Sequence, residues 1–220
     1  MKHAAIFLFA FALLGQAADA ALVYSLPFSN TAGTVNVLGN AIESLGDDVT
    51  LAGTDRQIVS AEVDTAYYFD GTHPGSAIPL QLTLYDLTTP GTNGLGHVIA
   101  TSSVIQVYGP GVSGRQDVTV TFPFAGETIP NSFYVAVSQN PPNAPLDNNF
   151  ALFYGSSPTV GSTATTEFYR PYSSTNFSVI NIGGVTGLAI RINAVPEPGT
   201  IALMGVGALG LVFTARRRRV

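Results

Sequence analysis

The chain reads as an all-β protein, an antiparallel β-sandwich or jelly roll with an apolar segment on either side of it. Three observations carry that prediction. Apolar and polar residues alternate with period two through the middle of the chain, as half-buried strands require. Gly, Pro, Asn and Asp steps break these runs about every ten to fifteen residues. The middle holds no run of apolar residues at helical spacing.

Residues 1–20 come first. Met1, Lys2 and His3 form a short basic start, residues 4–14 (AAIFLFAFALL) are continuously apolar, and QAADA follows. Ala18 and Ala20 make a small-x-small cleavage site. This is the three-part layout of a secretory signal peptide, and its apolar run is too short to stay as a spanning helix. The mature chain is expected to begin near Ala21.

Residues 21–194 form the expected sandwich body. Val59, Ala61, Val63, Thr65, Tyr67 and Phe69 alternate with Ser60, Glu62, Asp64 and Ala66. Leu80, Leu82 and Leu84 alternate with Gln81 and Thr83. The same rule holds for Val118, Val120, Phe122 and Phe124, for Phe133, Val135 and Val137, and for Leu188, Ile190, Ile192 and Ala194. Shorter candidates are 22–26, 34–38, 49–51, 98–107, 150–154 and 177–180. Turn formers separate them: Asp70-Gly71, Pro74-Gly75, Pro90-Gly91, Asn93-Gly94 and Gly109-Pro110-Gly111. Residues 138–149 and 156–166 read as long polar surface loops. Many short strands with Gly and Pro turns predict two antiparallel sheets packed face to face.

The body carries four arginines, no lysine and twelve acids between residues 21 and 195, a net charge of −8. Such a surface repels phosphate backbones, which argues against nucleic acid as a partner. The chain has no cysteine, so no disulfide, thiolate metal site or thiol nucleophile is available.

Chemistry in the body is sparse. His73 and His97 sit beside turn residues and read as surface-loop histidines. There is no H-E-x-x-H and no G-x-S-x-G, and Ser113 lacks a nucleophile elbow. Asp47, Asp48 and Asp55 form one acidic cluster, read as solvated turn acids. As alternatives, Asp47, Asp48 and Asp147 are calcium candidates, because hard cations take carboxylate oxygens, and paired acids suit glycoside hydrolysis. No EF-hand spacing is present, and no other cofactor is expected. Tyr67, Tyr68, Tyr85, Tyr108, Tyr134, Tyr169 and Tyr172 are candidate sugar platforms, without any tryptophan.

Residues 195–220 close the chain. Pro196-Glu197-Pro198 precedes an uncharged apolar run, residues 200–215, and then Arg216, Arg217, Arg218 and Arg219. As a helix the run is roughly 24 Å long, and the arginines extend its reach to the headgroups of a core of about 30 Å. This predicts a short transmembrane helix with its positive end in the cytoplasm and the body outside. Gly205, Gly207 and Gly210 match G-x-G-x-x-G, but no strand precedes them and no acid follows, so a dinucleotide site is not expected. The two prolines hold the tripeptide extended, open to an enzyme's cleft.

This ordered tail resembles the PEP-CTERM sorting signal of exported bacterial proteins. The resemblance implies recognition by an exosortase, a membrane transpeptidase-like enzyme, with cleavage close to Pro196-Glu197-Pro198. It covers about 25 residues and assigns sorting, not an activity of the body. The stretch GDDVTLAGTDRQIVSAEV, followed by LQLTLYD, is similar to β-sandwich bodies carried by such proteins. The expected function is that of a non-enzymatic cell-surface or extracellular-matrix (biofilm) protein with a structural or adhesive role. Alternatives are a carbohydrate-binding module, calcium-dependent or not, and a glycoside-type hydrolase. Expected partners are the secretion machinery, the inner membrane at least transiently, an exosortase-type enzyme and extracellular polysaccharide. The final location is the cell envelope or the matrix.

Overall fold

The computed structural model describes residues 19–28, 35–38, 42–69, 77–87, 95–108, 114–139, 150–155, 157–163, 167–171, 174–180 and 187–197. Fourteen strands and no helix occur among them: β1 (Ala21–Ser25), β2 (Val35–Leu38), β3 (Ile42–Thr50), β4 (Gln57–Phe69), β5 (Ala77–Asp86), β6 (Val98–Thr101), β7 (Ile105–Tyr108), β8 (Gly114–Thr128), β9 (Ser132–Gln139), β10 (Phe150–Gly155), β11 (Glu167–Pro171), β12 (Ser178–Ile180), β13 (Gly187–Leu188) and β14 (Ile190–Val195). The predicted helices over residues 1–18 and 200–215 lie outside the described residues.

The strands form two antiparallel sheets. The first runs β1-β14-β4-β10-β13, with β8 on the other side of β4 and β2 beside β10. The second runs β12-β11-β3-β9-β5-β6, with β7 also paired to β5. Alternation decides what lies between them. Val63, Phe122, Ile190 and Ile192 of the first sheet pack against Leu45, Val135, Val137, Leu82 and Leu84 of the second in one buried core. On β14 the burial alternates in register with the sequence: Ile190, Ile192 and Ala194 inward, Arg191, Asn193 and Val195 half-exposed. The period-two pattern thus converts into an aligned sandwich.

Three stretches differ from the sequence expectation. The short candidate at 49–51 is the end of the nine-residue β3. Its inward positions read Leu45, Asp47, Val49, so one carboxylate stands where a hydrophobe is expected. The run 98–107 divides into β6 and β7, both on β5, because Ser102 substitutes for a rung. Its backbone N–H donates to Leu82 O at 2.9 Å and its hydroxyl accepts from Leu82 N at 3.1 Å. β11 was not predicted: Phe168 and Tyr169 put aromatic rings on both faces, which hides the alternation.

Strand direction gives the sandwich two ends. β1 and β4 start, and β14 and β8 finish, at one end, here called the base. The connections 51–56 and 129–131 cross between the sheets there, joined by Leu51 N–H to Asn131 O and Ile129 N–H to Arg56 O, both 2.8 Å. The strand ends that flank residues 70–76, 109–113 and 140–149 lie at the opposite end.

Candidate functional site

Three features carry the predicted site residues. The first is the join between body and tail. β14 ends at Val195, and Pro196 and Glu197 leave the sheet directly; Pro cannot donate to a ladder, so the strand stops. Ala194 pairs with Ala21 on one side and Ile58 on the other. The expected first residue of the mature chain and the last residues of the body are therefore neighbours at the base. Ala20 is exposed there, while Ala18, Pro198 and Arg216 to Arg219 lie outside the described residues. Arg56 braces this end: its guanidinium donates to Gly53 O at 2.8 Å and Asn131 Oδ1 at 2.7 Å.

The second feature is the acidic cluster, and it corrects the sequence reading. Asp47 and Asp48 are not solvated turn acids. They lie within β3, with 0% and 8% of their surface exposed. Asp47 points between the sheets and ties them together. Its Oδ2 accepts from Leu188 N–H of the opposite sheet at 3.0 Å, and its Oδ1 accepts from Asp48 N–H at 2.8 Å. The Thr163 hydroxyl stands 3.2 Å from Oδ1 of both acids. Gly187 makes the approach possible, since a Cβ there would fall 1.9 Å from Asp47 Oδ2.

Burial pushes the Asp47 carboxyl well above the usual carboxylate range, and the charge of Asp48 adds to the rise. The hydrogen bonds from Leu188, Thr163 and Asp48 oppose it without cancelling it. Tyr24, fully buried on β1, faces the same acids; burial and then the two carboxylates hold its phenol far above the ordinary value. The segment 157–163, read from sequence as a plain loop, closes this edge by bridging Ser25 of one sheet and Thr50 of the other. Asp55 is half-exposed in the 51–56 connection, and Asp147 lies outside the described residues. No group of three His, Cys, Asp or Glu able to hold a metal occurs among the described residues. Chemically, Asp47 is a buried acceptor that holds the two sheets together.

The third feature is the outward face of the second sheet. Cross-strand pairing puts Asp48, Tyr134 and Tyr85 in one row and Gly46, Phe168, Ala136 and Thr83 in the next. The rings meet edge to face: Tyr134 with Phe168 at 4.5 Å, and Tyr85 with Phe177 at 5.8 Å. Arg170 lies 5.4 Å from the Phe177 ring and pairs with the buried Glu43 at 3.0 Å. Tyr85, Phe168 and Phe177 are buried, so only Tyr134 of this cluster offers a partly open ring. Tyr169 packs on the core, Tyr108 is exposed on β7, and the side chains of Tyr67, Tyr68 and Tyr172 are outside the described set. His97 is exposed, as expected for a loop histidine; His73 lies outside the described residues.

Sequence reasoning missed Tyr24, Thr163, Gly187 and Leu188 as partners of Asp47. Nothing local could have found them, since Leu188 is 141 positions away. The one available hint was a charged residue flanked at two-residue spacing by Leu45 and Val49.

Comparison with known proteins bears on the first feature. Residues 194–219 match the PEP-CTERM protein-sorting motif. Comparison with curated proteins gives no match. Among solved structures, the chain is similar to the cysteine protease and lectin-like domains of Cwp84, a surface-layer-associated protein of Clostridium difficile. The TM-score is 0.43 and the identity 12%, over 72% of this chain and 32% of that one. It is also similar to an arabinose-bound α-L-arabinofuranosidase, with TM-score 0.29 and 13% identity over 62% and 22% of the two chains. The matched part is about a third of the first of those chains and less of the second. Among the described residues no helix is long and apolar enough to cross a membrane; residues 200–215 are not among them. With its final strand running straight into the matched segment, this chain is an exported β-sandwich protein bearing a PEP-CTERM sorting signal over residues 194–219.

Proposed function

We propose that the protein is a non-enzymatic surface or matrix component whose tail is a removable handle. An exosortase-type enzyme recognises Pro196-Glu197-Pro198 at the outer face of the inner membrane, cuts nearby, and frees the body to the envelope or matrix, where its role is structural or adhesive. The observation that carries this is the pairing of Ala21 with Ala194. Both routes to the membrane, through the signal peptide and through the tail, leave from the base, so the opposite end of the sandwich is held away from the lipid. The burial of Asp47 and its use as a cross-sheet acceptor support a body without hydrolytic acids.

Intact mass of the mature protein tests the handle. Loss of the segment after the Pro-Glu-Pro step is expected on most molecules; retention of the full tail would make it a permanent anchor. Changing Pro196, Glu197 and Pro198 to alanine is expected to leave export intact and to block trimming.

Carbohydrate binding is the alternative, favoured by the partly open Tyr134 ring on the outward face of the second sheet. Retention of the protein on matrix polysaccharide, lost in Tyr134→Ala, would support it, and the same retention after chelation would exclude a calcium requirement. No retention in either condition would remove it.

A further inference from the structure

The first sheet is interrupted along one line near its base. Register shifts between Leu22 and Tyr24 in the β1–β14 ladder, between Asn193 and Ala194 in β14–β4, and between Ile58 and Ser60 in β4–β8. On β8 the break is widest: Ser60 pairs with Pro123 but Ile58 pairs with Glu127. Gly126 lies in this gap at φ 93°, and the Glu127 carboxylate takes the Ala125 N–H at 3.0 Å. Bulges leave ladder groups unpaired and bend the strand. Here three adjacent ladders are broken within one residue of each other on β14. They mark off a terminal block of Ala21, Ala194–Val195, Gln57–Ile58 and Glu127–Thr128.

The matched sorting segment begins at Ala194, inside that block. A cleft that cuts close to Pro196 has to hold the extended chain just before the cut, and the residues there are Ala194 and Val195. In the folded body they are not available, because Ala194 has Ala21 on one side and Ile58 on the other. We infer that the block is a latch belonging to the sorting site: it opens along the bulge line and releases Ala194 and Val195 to the sorting enzyme, while the sheet beyond the line stays folded. On β14 the side chains fit this division: Ala194 buries only a methyl group and Val195 is half-exposed, whereas Ile190 and Ile192, across the line, are fully in the core, as is Ile58 on the neighbouring β4. The latch rests on the proposed removal of the tail.

The test is to pin the block. The chain has no cysteine, so Gln57→Cys with Val195→Cys, register partners on neighbouring strands, introduces one disulfide. The full chain is presented to membranes containing the sorting enzyme, oxidised and reduced. The oxidised double variant is expected to keep its tail at least about tenfold longer than wild type, with reduction restoring trimming and Val195→Cys alone behaving as wild type. Trimming of the oxidised form at the wild-type rate would overturn the latch. The alanine variant at Pro196, Glu197 and Pro198 separates the two levels. If it is trimmed normally, the tripeptide's role in recognition fails; if it is blocked while the pinned form is trimmed, only the latch fails. Should Val195→Cys alone slow trimming, or the disulfide not form, hydrogen exchange decides. The amides of Ala194 and Ile58 are expected to exchange at least about tenfold faster than those of Ile190 and Ile192, and equal protection would overturn the proposal.

Discussion

Replacing Asp47 with asparagine separates a structural acid from a catalytic or metal-binding one. Asp47 presents two oxygens to three donors: Leu188 N–H at 3.0 Å, Asp48 N–H at 2.8 Å and the Thr163 hydroxyl at 3.2 Å. Asparagine keeps one oxygen and turns an amide N–H₂ toward the other backbone donor. One buried N–H is then left without an acceptor, a loss of about 1–3 kcal/mol. The pH dependence is more telling. Burial, reinforced by Asp48, raises the folded Asp47 pKa well above its ordinary value, so the neutral form is favoured in the fold. The unfolded chain releases this proton near pH 4, at about 3.9. Above that the folded state holds more protons than the unfolded state. Stability from this group is complete below the unfolded pKa and falls as pH rises toward the folded pKa, by about 1.4 kcal/mol per pH unit within the window. Asp47→Asn removes this slope. Urea unfolding of wild type and variant, followed by circular dichroism from pH 4 to 8, gives the difference and cancels the other carboxylates. Parallel pH profiles would refute a neutral buried Asp47, and an unchanged midpoint at every pH would refute the cross-sheet bond itself.

Other perturbations follow from the same geometry. Gly187→Ala puts a methyl group against Asp47 Oδ2, and a loss of about 1–3 kcal/mol is expected in the same unfolding assay. Phe122→Ala, emptying a fully buried ring site on β8, is expected to destabilise by about 3–5 kcal/mol, read as a lowered urea midpoint with unchanged m-value. Arg191→Met removes bonds to Glu62 at 3.0 Å and Asp64 at 2.8 Å on the half-exposed outer face; the change should stay below about 1 kcal/mol and shrink in salt.

The strands with clean alternation, such as 59–69 and 118–124, were legible because each residue's environment repeats every second position. They appear as β4, extended at its start, and β8, extended at both ends, where pairing with a neighbour, not side-chain pattern, holds the chain. β3 was half hidden because its central inward residue is an acid; a carboxylate beside a glycine looks like a turn until its partners are known. The segment 157–163 has the composition of a loop and is one, yet it bonds both sheets through Ser25 and Thr50. Composition records that such a segment is polar but not which buried edge it closes.

Local order alone was enough to assign the class of fold, the acidic lysine-free body and the sorting tail. Periodicity, charge and the succession Pro-Glu-Pro, apolar run, arginines are properties of neighbours along the chain. What lay beyond them is pairing between distant residues: Asp47 with Leu188, Ala21 with Ala194, and the bulges that fall on one line across four strands. Those depend on register. A shift of a single residue would turn Asp47 out of the core and move the bulge line away from the sorting segment, while leaving the alternation of each strand unchanged.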